Sequence, residues 1–273
     1  MSSVETIIQS VYVVAAVLFI VGLKRMSSPT TARTGIVWAG IGMLMATIAT
    51  FFYPGVENFA LIAIAILLGT IIAGYTAKKV EMTEMPEMIA LYNGMGGGAA
   101  AAIAAVELFK DHHLPISVTT LALIGGIIGS ISFTGSLIAF GKLQGMIKGT
   151  FRFKGQHQLN LLLLLGAAVL SALVVAGFDG NSTLVIMVFV IALILGIAMT
   201  IPIGGGDMAV VISLYNALTG LAVGFEGYVL QNYAMIIAGT VVGAAGTLLT
   251  QLMAKAMNKT LISVLFPFGE TAQ

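Results

Sequence analysis

Long blocks of apolar residues alternate with short polar segments along the whole chain. Each block is close to or above the roughly 20 residues that a helix needs to cross a membrane. The pattern therefore predicts an all-α polytopic membrane protein, a bundle of nine transmembrane helices. Their predicted bounds are residues 4–23, 34–53, 58–77, 86–108, 116–140, 158–177, 183–202, 208–226 and 232–256.

The composition supports a lipid environment. Hydrophobic residues make up 59% of the chain and charged residues 8%, whereas a soluble domain carries about 25% charged residues. The absence of cysteine excludes a disulfide framework and a thiolate metal site, and the net charge of +1 predicts no nucleic-acid partner. No phosphate-binding loop, dinucleotide fingerprint or metalloprotease motif is present. We therefore predict no catalytic, cofactor-binding or metal-binding residue in this chain.

Basic residues indicate the orientation of the bundle. Lys24 and Arg25 follow the first apolar block, and no basic residue precedes it, so we interpret residues 4–23 as a span rather than a signal peptide. All other Lys and Arg residues except Lys110 fall in segments on that same predicted side. The positive-inside rule then predicts an outside N-terminus and a cytoplasmic C-terminus.

Small residues recur at the spacing that lets helix backbones approach each other. Gly220 and Gly224 form one such pair, Gly239 and Gly243 form another, and Gly246 extends the second pair along the same helix. We predict that Gly239, Gly243 and Gly246 are helix-packing residues.

Asn93 is a polar side chain predicted to lie deep in the membrane. It follows Glu84 by nine residues, which is about 13 Å along a helix, near the middle of a hydrocarbon core about 30 Å thick. Lipid offers its amide no hydrogen-bond partner. The three glycines at 96–98 predict a loosened helix beside it, either a hinge or a stretch lined by water.

A second deep polar group is predicted in the eighth span. Ser213, Asn216 and Gly220 share one helix face, and Thr219 lies beside them. Hydroxyl groups in such helices often bond their own backbone, so the serine and threonine also fit a purely structural role.

Titratable side chains are predicted only near the ends of spans. Glu87, Glu107, Asp207 and Glu226 should reach water there, with Asp207 as the N-cap of the eighth helix. Because no histidine or carboxylate is predicted at mid-depth, proton movement would need ordered water or a titratable group from another chain.

Four segments carry a family resemblance. They are KKVEMTEMPEMIAL (78–91), FTGSLIAFGKLQG (133–145), GGGDMAVVISLYNALTG (204–220) and AKAMNKTLISV (254–264). In order and spacing they resemble the membrane domain of the β subunit of proton-translocating nicotinamide nucleotide transhydrogenase.

The resemblance implies a role in proton translocation. Members of this family couple hydride transfer between NAD(H) and NADP(H) to proton passage through this domain. We predict a proton pathway of Asn93, Ser213, Asn216 and Thr219, in which the resemblance supports Asn93 and Asn216 and the position on the helix supports Ser213 and Thr219. Several family members have a histidine, thought to carry the proton, at the position of Asn93. Because Asn93 cannot titrate, we expect the partner's α-type membrane helices to supply the titratable group.

The resemblance also implies the context of the chain. Residues 1–260 are expected to form the transmembrane domain, and 261–273 to begin the linker to an NADP(H)-binding domain that this chain lacks. Asp207 and Lys259 are expected to couple the two domains. The chain itself is expected to bind no cofactor. Expected partners are the α-type subunit helices, the soluble NAD(H)- and NADP(H)-binding domains, membrane lipid and a second copy of the assembled enzyme, in the bacterial inner membrane.

Two other functions stay open at this point. A secondary transporter of a small solute is the main alternative, although no inverted repeat or pair of broken helices is evident in the sequence. A passive anchor for soluble domains is the other, but it would not need Asn93, Asn216 or Thr219 at depth.

Overall fold

The computed structural model describes residues 3–110, 114–177, 182–260 and 263. Within these ranges the fold is all-α, without strands, and nine helices are long and apolar enough to cross a membrane, as the apolar pattern predicts. They are α1 (Ser3–Met26), α2 (Ala32–Phe51), α3 (Phe59–Lys79), α4 (Met85–Lys110), α5 (Ile116–Leu143), α6 (Gln156–Val175), α7 (Ser182–Thr200), α8 (Met208–Val229) and α9 (Tyr233–Ala256). Apart from residue 263, the predicted linker 261–273 lies outside the described residues.

The chain divides into two compact units. The first comprises residues 1–85 and 231–238. Within it, α1 and α2 form an antiparallel pair in which the Tyr12 hydroxyl bonds the Thr50 hydroxyl at 2.8 Å. Gly22 and Gly35 let the two backbones approach, because an added Cβ at either position would collide with the other helix. By contrast, α3 has no buried residue, so its apolar surface is exposed.

The second unit, residues 86–230 and 239–273, is organised around α5. Glycines at the interfaces of α5 let three neighbouring helices, α4, α7 and α8, pack closely against it. Gly129 of α5 meets Gly97 of α4, and an added Cβ on Gly129 would lie 2.9 Å from the Ala101 nitrogen. Gly196 of α7 packs against Thr134 and the backbone of α5.

The predicted packing glycines of α9 lie against α8. An added Cβ on Gly239 would collide with the backbone nitrogen of Gly224, and one on Gly246 would lie 2.8 Å from the Cα of Ala217. An added Cβ on Gly220 of α8 would likewise collide with the backbone nitrogen of Gly243. Van der Waals contact between backbones holds helices together where lipid supplies no hydrophobic driving force.

The end of α5 and the segment after it are bonded to the residues that follow α7. Lys142 donates hydrogen bonds to the carbonyl oxygens of Ile201 (2.5 Å) and Ile203 (2.6 Å), and Arg152 donates to that of Pro202 (3.0 Å). Cations are favoured where helix carbonyls lack partners. These two basic residues therefore hold the turn that follows α7, a role that the charge count alone did not reveal.

We expect Gly239→Ala to lower the free energy of unfolding by about 1–3 kcal/mol, because the added methyl group overpacks the contact with α8. Gly69→Ala is the matched control. An added Cβ at Gly69 meets no described atom within 4 Å, so alanine there should be neutral or slightly stabilising. Unfolding in mixed detergent micelles measures both. An equal response of the two variants would contradict the packing role of Gly239.

Candidate functional site

A buried polar network begins at Asn93 on α4. The Asn93 amide nitrogen donates to the Ser136 hydroxyl at 2.8 Å and, more weakly, to the Ser132 hydroxyl at 3.4 Å. Asn93 is 9% exposed and both serines on α5 are fully buried. The deep amide thus finds hydrogen-bond partners inside the protein, which lipid could not provide.

The network continues from α5 to α8. The Ser132 oxygen lies 2.9 Å from the Tyr215 carbonyl oxygen and 2.5 Å from the Thr219 hydroxyl oxygen. Either hydroxyl of the Ser132–Thr219 pair can donate to the other, since each has one proton and two lone pairs. Asn93, Ser132 and Thr219 therefore form a continuous polar connection across three helices.

Two other residues of the predicted pathway lie outside this network. Ser213 accepts a hydrogen bond from Thr250 of α9 at 3.1 Å, and so faces a different helix. Asn216 is half-buried and makes no hydrogen bond to any other residue in the described ranges.

The glycine run in α4 packs beside the network and does not interrupt the helix. The helix runs unbroken through residues 96–98, so the glycines cause no break, and a hinge or water-lined stretch there stays a prediction. Gly97 meets the backbone of Gly129, and Gly98 accommodates the ring of Phe133. An added Cβ on Gly96 would lie 3.2 Å from the Thr219 methyl group. Glycine is therefore used here to bring Asn93 and its helix close to α5 and α8.

Ser132, Ser136 and Tyr215 take part in the site but were absent from the predicted pathway. Ser132 and Ser136 are four residues apart on α5, a spacing that places both on one helix face and could have paired them with Asn93. Tyr215 is fully buried, and its hydroxyl lies 2.6 Å from that of Thr200 on α7. Its ring fits against Gly135, where a Cβ would collide with it.

Asp207 and Lys259 meet as an ion pair at one end of this unit. The Lys259 ammonium donates to both carboxylate oxygens of Asp207, at 2.8 and 2.9 Å. The Asp207 side chain makes no N-cap hydrogen bond, although the residue lies at the start of α8. Asp207 is thus the N-cap residue of α8, as predicted, but its carboxylate binds the lysine instead of capping the helix.

Glu226 also departs from expectation. It was expected to reach water near the end of α8, but it is fully buried. Glu87, near the start of α4, is half-buried and accepts a hydrogen bond from the exposed Gln144 amide at the end of α5. Among the described residues no group of three or more His, Asp or Glu side chains could hold a metal ion.

Comparison with known proteins identifies the family. The family model described as NAD(P) transhydrogenase beta subunit matches residues 8–273, nearly the whole chain. The chain belongs to this family. Two curated proteins from Rhodospirillum rubrum, both named NAD(P) transhydrogenase subunit beta, are each 37% identical over 271 residues. Each alignment covers 96% of this chain and 58% of the relative. The chain thus spans somewhat more than half the length of these transhydrogenase subunits.

We expect Ser132→Ala to destabilise the protein by about 1–2 kcal/mol, because it removes the hydroxyl that links α4, α5 and α8. Ser171→Ala is the control, since the Ser171 hydroxyl bonds the carbonyl of Ala167 in its own helix. That variant should change stability by less than about 0.5 kcal/mol. Detergent-titration unfolding checks both values, and similar losses would argue against a linking role for Ser132.

Proposed function

We propose that this chain forms the proton-translocating membrane portion of an NAD(P) transhydrogenase. The whole enzyme would couple hydride transfer between NAD(H) and NADP(H) to proton passage across the membrane. Residues 1–260 would form the transmembrane domain, and 261–273 would begin the linker to an NADP(H)-binding domain. Membership of the family and the nine apolar helices support this assignment.

The Asn93–Ser132–Thr219 connection carries the proposal. Burying three polar side chains inside a membrane protein costs free energy. Polar groups at such positions therefore favour a functional pathway over a simple packing contact. Amides and hydroxyls orient water and pass protons along it, but they do not hold a proton through a conformational change. We therefore infer that a titratable side chain of the α-type subunit approaches Thr219 and the half-buried Asn216 amide.

The Asp207–Lys259 pair is our candidate for coupling to the NADP(H)-binding domain. The pair joins the start of α8 to the residues just beyond the end of α9, from which the chain leads into residues 261–273. Lys142, Arg152 and Lys255 belong to the same predicted cytoplasmic side. A half-exposed ion pair can be remade with a partner at low cost, which suits a contact that alternates during turnover.

The surroundings of the chain follow from the same assignment. Partners would be the α-type membrane helices, the soluble NAD(H)- and NADP(H)-binding domains, lipid and a second copy of the assembled enzyme. The enzyme would reside in the bacterial inner membrane. The wholly exposed apolar surface of α3 supports contact with lipid or with another membrane helix.

We expect Asn216→Leu to lower proton-coupled turnover at least about tenfold in the complete enzyme reconstituted in liposomes. Ser171→Leu is the control and should pump nearly normally, because Ser171 bonds only its own helix. Proton uptake is measured with a pH-sensitive dye while hydride transfer is followed by absorbance. Equal losses in the two variants would indicate damage to packing, and the absence of pumping by the unaltered enzyme would refute the function.

For Asp207→Asn we expect the ratio of protons moved to hydride transferred to fall at least about twofold. The free energy of unfolding should change by less than about 1 kcal/mol, because a partly exposed ion pair contributes little to stability. Lys259→Gln should behave in the same way if the two groups act together. Unchanged coupling combined with unchanged NADP(H) affinity would count against this role.

A further inference from the structure

Glu226 is a buried carboxyl group that the pathway described above does not use. Its side chain has no solvent exposure, and neither carboxyl oxygen has a hydrogen-bond partner within the described part of the chain. The residue lies three positions before Val229, where α8 ends, at the opposite end of the helix from Asp207. A fully buried carboxyl group without a hydrogen-bond partner is costly, so this residue calls for a functional explanation.

Gly125 of α5 makes the space for this carboxyl group. A Cβ at position 125 would collide with a carboxyl oxygen of Glu226, so the side chain in its present position occupies space that glycine leaves free. Gly125 therefore makes room for an acidic side chain in the interface between α5 and α8.

The charged groups around Glu226 belong to α4. The Glu107 carboxylate, which is half-buried, lies near enough to act on Glu226 by charge repulsion. Lys110 follows on the same helix end and is exposed. The adjoining ends of α5, α6 and α7 form an apolar cluster and, in the residues described, carry no charged side chain. Tyr228 and Tyr233 are the titratable residues near this end of α8 and at the start of α9, and both are exposed.

Glu226 is aligned with the polar network. It follows Thr219 by seven residues on α8, which places both on one helix face about 10 Å apart. Gly125 and Ser132, their contacts on α5, are also seven residues apart. The α5–α8 interface therefore carries the carboxyl group and the Ser132–Thr219 hydroxyl pair in one row.

We propose that Glu226 is a proton-carrying residue that serves the end of the pathway opposite the Asp207–Lys259 pair. This inference rests on the proposed function of the chain. The Glu226 carboxylate takes a proton from water on that side of the membrane and becomes neutral. It then releases the same proton through water to the Thr219–Ser132 pair, and from there the proton reaches the titratable group of the partner subunit. One proton enters and one leaves, and Glu226 returns to its starting charge.

Glutamine at position 226 tests the proposal, because it keeps the size and polarity of the side chain but cannot carry a proton. In the complete enzyme in liposomes, Glu226→Gln should lower proton-coupled turnover at least about tenfold, whereas Glu226→Asp should restore a substantial part of it. Glu57→Gln is the matched control, since Glu57 is exposed in the segment between α2 and α3. It should leave turnover unchanged.

Infrared spectroscopy supplies a readout that a purely structural role would not produce. The unaltered enzyme should show a carboxylic-acid carbonyl band that changes during turnover, disappears in Glu226→Gln and shifts in Glu226→Asp. If Glu226→Gln fails to assemble, the comparison of the unaltered enzyme with Glu226→Asp carries the test, and absence of a shifted band overturns the proposal.

The Asn216→Leu variant separates failure of this inference from failure of the proposed function. Normal pumping in Glu226→Gln together with loss in Asn216→Leu would refute the role of Glu226 and leave the proton pathway standing. Normal pumping in both variants would refute the pathway itself. Loss in both, with rescue by aspartate at 226, would support both proposals.

Discussion

Close approach of helix backbones at glycine is the constraint on which the rest of the second unit depends. Lipid chains are as apolar as leucine side chains, so burial of apolar surface gives little driving force between membrane helices. Contact between backbones and hydrogen bonds across the interface must supply the attraction instead. On α5, the backbone of Gly129 contacts that of Gly97, and Gly135 makes room for the Tyr215 ring. Larger side chains at these positions would move α4 and α8 away from α5.

The polar network exists because of this approach. A hydrogen bond of 2.5 Å between Ser132 and Thr219 requires two helices whose backbones are unusually near. The same proximity brings the Asn93 amide within 2.8 Å of Ser136. Ser132 reaches both the Thr219 hydroxyl and the Tyr215 backbone carbonyl of α8. Packing and the candidate proton pathway are thus two consequences of one arrangement of small residues.

Charged groups near the two ends of α8 have different surroundings. Toward one end of the unit, Lys142, Arg152 and the Asp207–Lys259 pair find carbonyl or carboxylate partners. At the other end Glu226 has none among the described residues and occupies the space left by Gly125. The two ends of α8 therefore differ chemically, with a paired and partly exposed charge at one and an isolated, buried carboxyl group at the other.

The sequence alone determined the nine helices, the membrane environment and the family, because hydropathy, helix length and family motifs are local properties of the chain. It also located Asn93 and Thr219 as deep polar residues. It did not determine that Ser132 joins them, that the glycines at 96–98 pack without breaking α4, that Asp207 binds Lys259, or that Glu226 is buried. Each of these depends on how one helix is rotated against another. That rotation is decided by contacts between residues far apart in the chain, so only the tertiary structure could settle it.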